Sequence, residues 1–261
     1  WLIRKWIEEF GQEFTEDLLE ANSEKPNLYI RVNTLKINRD ELINKLREQG
    51  IDCNKVNGID EAIMVKNLKN IENNKLFKEG YFTVQDISSM LVGKVANPKE
   101  EKLVLDVCSA PGGKTTHLGI IMKNTGQVIS RDIFDHKLKL INNTVKRLGL
   151  KNIKVENFDA LNIDENSIDK FDYVICDVPC SGMGIIKRKP EIKFKKEEEI
   201  KDLPIIQKKI LNNASKYVKL GGNLIYSTCT IHDEENINIV KEFLNINDNF
   251  ELVPIDEVNV D

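Results

Sequence analysis

The sequence lacks the features of a membrane protein and of a strongly basic nucleic-acid-binding protein. No apolar run in its 261 residues approaches the roughly 18 residues that a membrane-spanning helix needs. No signal segment with a charged start and an apolar centre opens the chain either, so we expect no membrane association. The net charge of −4 carries no global nucleic-acid signal, and any RNA contact must come from local patches.

Cysteine is sparse, and the odd count of five argues against a complete set of disulfides. We therefore expect reduced thiols and a cytoplasmic location. No metal site is predicted, because the chain has no two C-x-x-C pairs and because His117, His136 and His232 lack ligand spacing. The chain begins at Trp1 rather than Met, so we expect the true N-terminus to be missing.

Two regions of different periodicity divide the chain near residue 97. Residues 1–96 mix helical patterns with short alternating strands, which is typical of a small α+β domain. The polar segment 97–102 contains Pro98 and marks the boundary. Residues 97–261 alternate apolar strands with amphipathic helices, which predicts an α/β domain with a doubly wound parallel sheet.

The first predicted strand of that sheet, 103–107, leads into a turn that contains two glycines, Asp106-Val-Cys-Ser-Ala-Pro-Gly-Gly-Lys114. A P-loop would need Gly in place of Cys108, and no G-x-G-x-x-G dinucleotide fingerprint is present. Asp132 after the second strand could bind ribose hydroxyls, and Asp159 after the third could reach an adenine edge. The pattern favours an adenosine-type ligand without pyrophosphate, such as S-adenosylmethionine. The alternative is that both acids are solvated loop residues.

Two cysteines stand directly after apolar runs that predict buried strands. Cys180 follows the run 173–177, and Cys229 follows the run 223–227. Ligands bind at the carboxyl ends of strands in open α/β sheets, so two thiols there indicate covalent chemistry. Free cysteine is otherwise among the most buried residue types. Packing roles are therefore expected for the other three cysteines, Cys53, Cys108 and Cys176, with Cys108 also lining the glycine turn.

A basic segment at 187–196 follows Cys180 and holds six basic residues against one acid, Glu191. We expect it to contact RNA phosphates. The residues predicted for this role are Lys187, Arg188, Lys189 and Lys193, with Arg31 on a small-domain strand as a weaker candidate. A merely solvated face is the alternative, because the acidic run 197–199 follows at once.

Three motifs resemble those of RNA cytosine-C5 methyltransferases: Ser-Ala-Pro-Gly-Gly-Lys-Thr (109–115), Asp-Val-Pro-Cys-Ser-Gly (177–182) and Ser-Thr-Cys-Thr (227–230). The bacterial Fmu/Sun (RsmB-like) branch, which modifies small-subunit ribosomal RNA, is the most similar. The likeness extends to 31–34 and 84–86, and so covers most of the chain. It implies a Rossmann-like methyltransferase domain preceded by a small RNA-recognition-like domain.

The resemblance also implies roles for individual residues. Cytosine C5 is too weak a nucleophile to take a methyl group unless a thiolate first adds at C6. By resemblance Cys229 is that thiolate, and Cys180 assists product release. Asp177 is expected to meet N3 of a base turned out of its stem, and Lys114 to neutralise charge or lower a thiol pKa. The residues expected to bind S-adenosylmethionine, and its product S-adenosylhomocysteine, are Cys108, Ser109, Ala110, Pro111, Gly112, Gly113, Lys114, Asp132, Asp159 and Asp177.

Other functions stay open at this point. The substrate could be a tRNA cytosine or a protein amide. Amide methylases of this fold use Asp/Asn-Pro-Pro-aromatic where this chain has Asp-Val-Pro-Cys, so Cys180 argues against an amide substrate. A non-catalytic RNA-binding assembly factor would need neither thiol. The sequence lacks the helical N-terminal domain and the final Gly- and Phe-rich strand that are usual in this branch, so we expect part of the RNA-binding surface to be missing. We expect a monomer.

Overall fold

The computed structural model describes residues 1–255, and their internal contacts divide them into two compact units. One unit combines residues 1–26, 178–211 and 227–251; the other combines 27–177, 212–226 and the residues from 252. Each unit is thus assembled from separated segments of the chain. The predicted division into 1–96 and 97–261 follows the sequence rather than these units, and it stays a prediction.

Helices and strands alternate along the described residues much as their periodicity predicts. The α-helices are α1 (Leu2–Phe10), α2 (Gln12–Ser23), α3 (Arg39–Arg47), α4 (Lys75–Lys78), α5 (Ile87–Ala96), α6 (Gly113–Ile121), α7 (Asp135–Leu148), α8 (Leu203–Ser215) and α9 (Ile237–Ile246). The strands are β1 (Leu28–Val32), β2 (Asp52–Lys55), β3 (Ala62–Lys66), β4 (Phe82–Val84), β5 (Leu103–Asp106), β6 (Gln127–Asp132), β7 (Ile153–Asn157), β8 (Phe171–Asp177) and β9 (Val218–Ser227).

The small domain is built on a sheet of four strands in the order β2-β3-β1-β4. β1 pairs with β3 and β4, and β2 pairs with β3, all antiparallel, with Ile30 of β1 opposite Ile63 of β3. Apolar residues of one strand face and of α3 alternate with polar ones, so they bury together in a single cluster that includes Leu42 and Phe82. Asn38 starts α3, since its side chain accepts a hydrogen bond from Glu41 N at 2.9 Å.

The larger sheet has five strands in the order β7-β6-β5-β8-β9. β5 pairs with β6 and β8, and β6 with β7, all in parallel, which confirms the predicted doubly wound α/β architecture. Its parallel strands bring Asp106, Asp132 and Asp177 to their carboxyl ends, where ligands bind in such sheets. None of the helices in residues 1–255 is long and apolar enough to cross a membrane.

Two boundaries differ from the predicted ones. The helical spacing of Ile210, Ala214 and Tyr217 predicts Tyr217 on the face of one long helix, but α8 stops at Ser215 and Tyr217 N donates to Ala214 O at 3.0 Å. The apolar spacing in 235–244 predicts one helix from Glu235, but a short 3-10 turn at 233–235 comes first and α9 begins at Ile237.

Helices α5 and α6 approach each other closely at Gly93. A Cβ atom built at Gly93 would lie 2.3 Å from His117 Nδ1 on α6. His117 is 1% exposed and its Nε2 lies 2.6 Å from Glu61 Oε1. Burial lowers the pKa of His117 to about 4, so the ring is neutral at physiological pH. The imidazole is thus fixed in place and cannot make room for a side chain at Gly93.

Gly93→Ala should therefore lower the free energy of unfolding by about 1–3 kcal/mol, the usual cost of overpacking. Val95→Ala on the same helix is the matched control, because Val95 is exposed and should change stability by less than about 0.5 kcal/mol. Urea denaturation measures both. Equal midpoints for Gly93→Ala and the wild type would show that the two helices can separate without cost.

Candidate functional site

The turn after β5 is shaped by Gly112. This residue has φ +96°, and a Cβ atom there would lie 3.2 Å from Ile141 Cγ2. Gly112 N donates to Ser109 O at 2.7 Å, which closes the turn just before α6. The N–H groups of the first helical turn lack partners within the helix and are available to a ligand. The sequence-predicted cofactor turn is thus a tight connection that only glycine fits.

Asp106 ends β5 beneath this turn and is 0% exposed. Its Oδ2 accepts a hydrogen bond from Thr115 Oγ1 at 2.6 Å, whereas Oδ1 is buried and has no hydrogen-bond partner among residues 1–255. Burial raises the pKa of Asp106 to about 7. The sequence alone does not single out Asp106 as a site residue, because an acid at the end of an apolar run gives no sign of its buried state.

Lys114 and Asp177 were predicted separately for the site, and the structure brings them together. Lys114 Nζ lies 2.6 Å from Asp177 Oδ2, and their side chains are 16% and 26% exposed. Lys114 is on the first turn of α6, whereas Asp177 is the last residue of β8. A partly shielded ion pair therefore stands at the carboxyl end of the sheet, where its charge is screened less than at the open surface.

Three other residues predicted to bind the cofactor, Ser109, Asp132 and Asp159, make hydrogen bonds to the backbone of the loops and strands around them. Asp132 Oδ2 accepts from Ala110 N at 3.3 Å, and Asp159 Oδ1 accepts from Leu161 N at 2.9 Å. The Ser109 hydroxyl and N–H both donate to Arg131 O at 2.9 Å, so Ser109 attaches the turn to β6. Contacts of these residues with a ligand remain predictions.

Cys180 and Cys229 lie side by side. Their Sγ atoms are 3.0 Å apart, and Cys229 N donates to Cys180 Sγ at 3.2 Å. Neither is in a disulfide; Cys180 is half-buried and Cys229 is exposed. The backbone supports this pairing, because Val178 N donates to Ser227 O at 3.2 Å where β8 and β9 end. That both thiols reach one edge of the sheet stays a prediction.

The two sulfur atoms are not equivalent. The hydrogen bond with Cys229, and then burial, raise the pKa of the Cys180 thiol. A raised pKa favours the protonated form of Cys180, and the geometry of the pair allows either sulfur to be the donor. Cys229 is exposed whereas Cys180 is half-buried, so Cys229 is the more accessible of the two thiols.

The packing roles predicted for two further cysteines are confirmed. Cys53 is 3% exposed in the small-domain core, and Cys176 is 0% exposed inside β8. Burial raises the pKa of both thiols, so neither is reactive. Burial also raises the pKa of Cys108, which is half-buried in the glycine turn.

Comparison with known proteins identifies the family of this chain. Residues 94–261 match the family model of the 16S rRNA methyltransferase RsmB/F, and residues 1–72 match the RsmF/B-like ferredoxin-like domain. The chain belongs to the RsmB/F methyltransferase family. This confirms the resemblance drawn from the three motifs, and the family models agree with a small α+β domain followed by a Rossmann-like methyltransferase domain.

Individual relatives support the same assignment. The probable ribosomal RNA small subunit methyltransferase B of Bacillus subtilis (strain 168) is 39% identical over 254 residues, which cover 96% of this chain and 56% of the relative. The protein of the same name in Synechocystis sp. is 32% identical, over 98% of this chain and 58% of the relative. The crystal structure of PH0851 superposes with a TM-score of 0.95 at 35% identity, over 98% of this chain and 58% of that one. The chain thus spans a little over half the length of these relatives.

One RNA contact predicted for this RsmB/F-family chain is wrong. Arg31 is 1% exposed, so it does not present its charge to RNA. Its guanidinium donates to Gln85, to Gly113 O at 2.7 Å and to Thr116 Oγ1 at 3.1 Å. Arg31 instead supports the first turn of α6, and thereby the glycine turn. The sequence of an alternating strand does not show that its polar face is also covered by other parts of the protein, so the burial of Arg31 could not be predicted.

The basic segment 187–196 is at the surface for most of its length. Arg188, Lys189 and Lys193 are exposed, while Lys187 Nζ lies 2.8 Å from Glu24 Oε2. That ion pair is exposed, and such pairs contribute only about 0–1 kcal/mol, so a phosphate could replace Glu24. RNA contact by these four residues remains a prediction.

Two residues that the sequence analysis missed lie beside the thiols. Glu235 is 3% exposed and its Oε2 accepts from Ser181 N at 2.9 Å. Asn236 Nδ2 donates to Thr230 O at 3.0 Å. Both stand in the polar stretch His-Asp-Glu-Glu-Asn, which looks like a solvated helix start. Only the tertiary structure distinguishes them from their exposed neighbours.

The order of reactivity of the two thiols can be measured by alkylation. With excess iodoacetamide at pH 7.5 (about one unit below the ordinary thiol pKa), Cys229 should be alkylated and Cys180 spared. Cys180 should react faster in Cys229→Ala than in the wild type, because the main cause of its raised pKa is removed. Peptide mass spectrometry measures both sites. Preferential labelling of Cys180 in the wild type would reverse the assigned order.

Proposed function

We propose that this chain transfers the methyl group of S-adenosylmethionine to C5 of a cytosine in small-subunit (16S) ribosomal RNA. The observation that carries the proposal is the pair of thiols, 3.0 Å apart and outside any disulfide, with Cys229 as the exposed one. Methylation of an unactivated pyrimidine carbon needs a nucleophile of this kind. Membership of a 16S rRNA methyltransferase family supports the substrate class.

The residues of the glycine turn fit S-adenosylmethionine. Asp106 offers a buried carboxylate oxygen that has no partner among the described residues, and Gly112 leaves the backbone open where a side chain would not fit. We propose that the turn 108–114 holds the cofactor together with Asp132, Asp159 and Asp177. When bound, the cofactor supplies an electrophilic methyl group on a sulfonium sulfur.

Covalent catalysis is assigned to Cys229. Its thiolate adds to C6 of cytosine, a carbon–sulfur bond forms, and the electron pair of the ring double bond becomes available at C5. After C5 accepts the methyl group, its proton passes to water and the carbon–sulfur bond breaks, which restores the ring double bond and returns the thiolate. Cys180, 3.0 Å from the attacking sulfur, is placed to assist this elimination.

Asp177 is assigned to the base edge. Only two residues separate it from Cys180, so the chain holds the two Cα atoms within about 11 Å. Its Oδ2 lies 2.6 Å from Lys114 Nζ. Addition at C6 pushes electrons toward N3, and Asp177 meets this atom either by giving it a proton from the acid form or as a hydrogen-bond partner. Lys114 balances the negative charge that develops on the base.

RNA phosphate contacts are assigned to the basic segment, through Lys187, Arg188, Lys189 and Lys193. Such contacts position the RNA without reading its sequence, because phosphates are the same at every nucleotide. Binding should therefore weaken with rising salt. The choice of target nucleotide must come from other contacts.

Incubation with labelled S-adenosylmethionine and total bacterial RNA tests the proposal, with nucleoside analysis of separated rRNA and tRNA. Label should appear as 5-methylcytidine in small-subunit rRNA. Cys229→Ala should abolish it, because no covalent adduct can form. Cys180→Ala should slow turnover roughly 10²-fold, by loss of a proton-transfer group, while a covalent protein–RNA adduct accumulates on denaturing gels.

Cys53→Ala is the control, since Cys53 lies in the small-domain core and should leave methylation unchanged. Label in tRNA would favour the tRNA alternative. Label in any nucleoside other than 5-methylcytidine, or wild-type turnover by Cys229→Ala, would overturn the proposed chemistry.

A further inference from the structure

The two thiols stand on loops rather than within regular elements. Cys180 follows the end of β8 at Asp177, and Cys229 follows the end of β9 at Ser227. Loops are more mobile than the elements they connect. A sulfur–sulfur distance of 3.0 Å therefore requires contacts that hold each loop on both sides of its cysteine.

On the Cys180 loop, these contacts come from Glu235 and Gln207. Glu235 Oε2 accepts from Ser181 N at 2.9 Å and from Gln207 Nε2 at 2.8 Å. Gln207 Nε2 also donates to Pro179 O at 2.9 Å. The residues immediately before and after Cys180 are thus both attached to one buried hydrogen-bonded pair. Gln207 is 0% exposed, so water cannot easily compete for these bonds.

On the Cys229 loop, the equivalent contacts come from Asn236. Its Nδ2 donates to Thr230 O at 3.0 Å, and its Oδ1 accepts from the Thr228 hydroxyl. The residues immediately before and after Cys229 are therefore both attached to one side chain. An amide is suited to this role, because it offers a donor and an acceptor at once.

Glu235 and Asn236 are consecutive residues, so a single backbone segment holds both loops. They lie where the 3-10 turn 233–235 ends and α9 has not yet begun, and Asn236 has φ −119° and ψ −100°. This non-helical residue separates the two elements. The loops also contact each other directly, since Ser181 Oγ donates to Thr230 Oγ1 at 2.8 Å.

The polarity of this arrangement argues for positioning rather than for stability alone. A buried carboxylate such as Glu235 has a large desolvation cost, and its hydrogen bonds at best offset that cost. An apolar residue could fill the same space with similar stability. It could not hold Ser181 N or Gln207 Nε2 in a defined direction, which is what a fixed thiol pair needs.

We propose that Glu235 and Asn236 are positioning residues that set the distance between Cys180 and Cys229, with Gln207 supporting Glu235. Glu235 holds the releasing thiol and Asn236 the attacking one. Loss of the Glu235 contacts should therefore impair adduct breakdown more than adduct formation. This last consequence rests on the proposed function, whereas the geometric claim does not.

The geometric claim is tested without RNA by phenylarsine oxide. The reagent exchanges its oxygen for two thiolate sulfurs and releases one water, so it binds tightly only where two thiols are close. The wild type should capture one equivalent that resists a monothiol, and Cys180→Ala should lose this capture. Glu235→Ala and Asn236→Ala should weaken capture at least about tenfold, the effect of roughly 1.4 kcal/mol.

Glu234→Ala is the matched control, because Glu234 precedes Glu235, its side chain is 62% exposed and its ion pair is with Lys5. It should capture arsenic like the wild type. Glu235→Gln keeps one acceptor for Ser181 N–H, so it should fall between the wild type and Glu235→Ala. This conservative variant gives a result even if Glu235→Ala does not fold, as judged by circular dichroism.

Methylation assays supply the second readout. Glu235→Ala should lower kcat with little change in KM for RNA and should accumulate the covalent adduct, as Cys180→Ala does. A merely structural role would lower the amount of active protein without adduct accumulation. Wild-type arsenic capture by both Glu235→Gln and Asn236→Ala would overturn the positioning role. Reduced capture in a protein whose wild type makes no 5-methylcytidine would uphold it and reject the proposed function instead.

Discussion

The hydrogen bond between the sulfur atoms of Cys180 and Cys229 is the interaction on which the proposed chemistry depends. This hydrogen bond and burial raise the pKa of the half-buried Cys180 thiol, whereas Cys229 is exposed, so the two identical side chains differ. A disulfide would remove both groups. The loops must therefore hold the sulfur atoms close, and the hydrogen bonds of Glu235 and Asn236 serve this requirement.

The carboxyl edge of the larger sheet carries its own set of polar groups. Parallel pairing of β5 with β6 and β8 aligns their last residues, and the glycine turn follows directly from β5. Rigid strands thus carry the acids and the Lys114–Asp177 ion pair, whereas loops carry the thiols. Arg31 lies on β1 of the smaller sheet and donates to Gly113 O in the first turn of α6, the helix that follows β5 of the larger sheet. This contact connects the small domain to the glycine turn.

Sequence patterns predicted the architecture for physical reasons, whereas the roles of the site residues stay predictions. Strand periodicity and the glycine turn are local, and Cys180 and Cys229 are conspicuous because each follows a buried strand. The failures involve tertiary context. Arg31 has the composition of a phosphate ligand but is covered on all sides. Glu235 and Asn236 resemble a solvated helix start, and only the approach of two distant loops gives them a role.

The central claim is that Cys229, and not Cys180, forms the bond to cytosine. An RNA fragment with 5-fluorocytidine at the target position tests it most directly, since fluorine at C5 cannot leave as the proton does and the adduct is trapped. Digestion and mass spectrometry then locate the attached nucleotide. We expect a stable adduct, formed in the presence of S-adenosylmethionine, on the peptide that contains Cys229. Attachment at Cys180, or an adduct that survives Cys229→Ala, would contradict it.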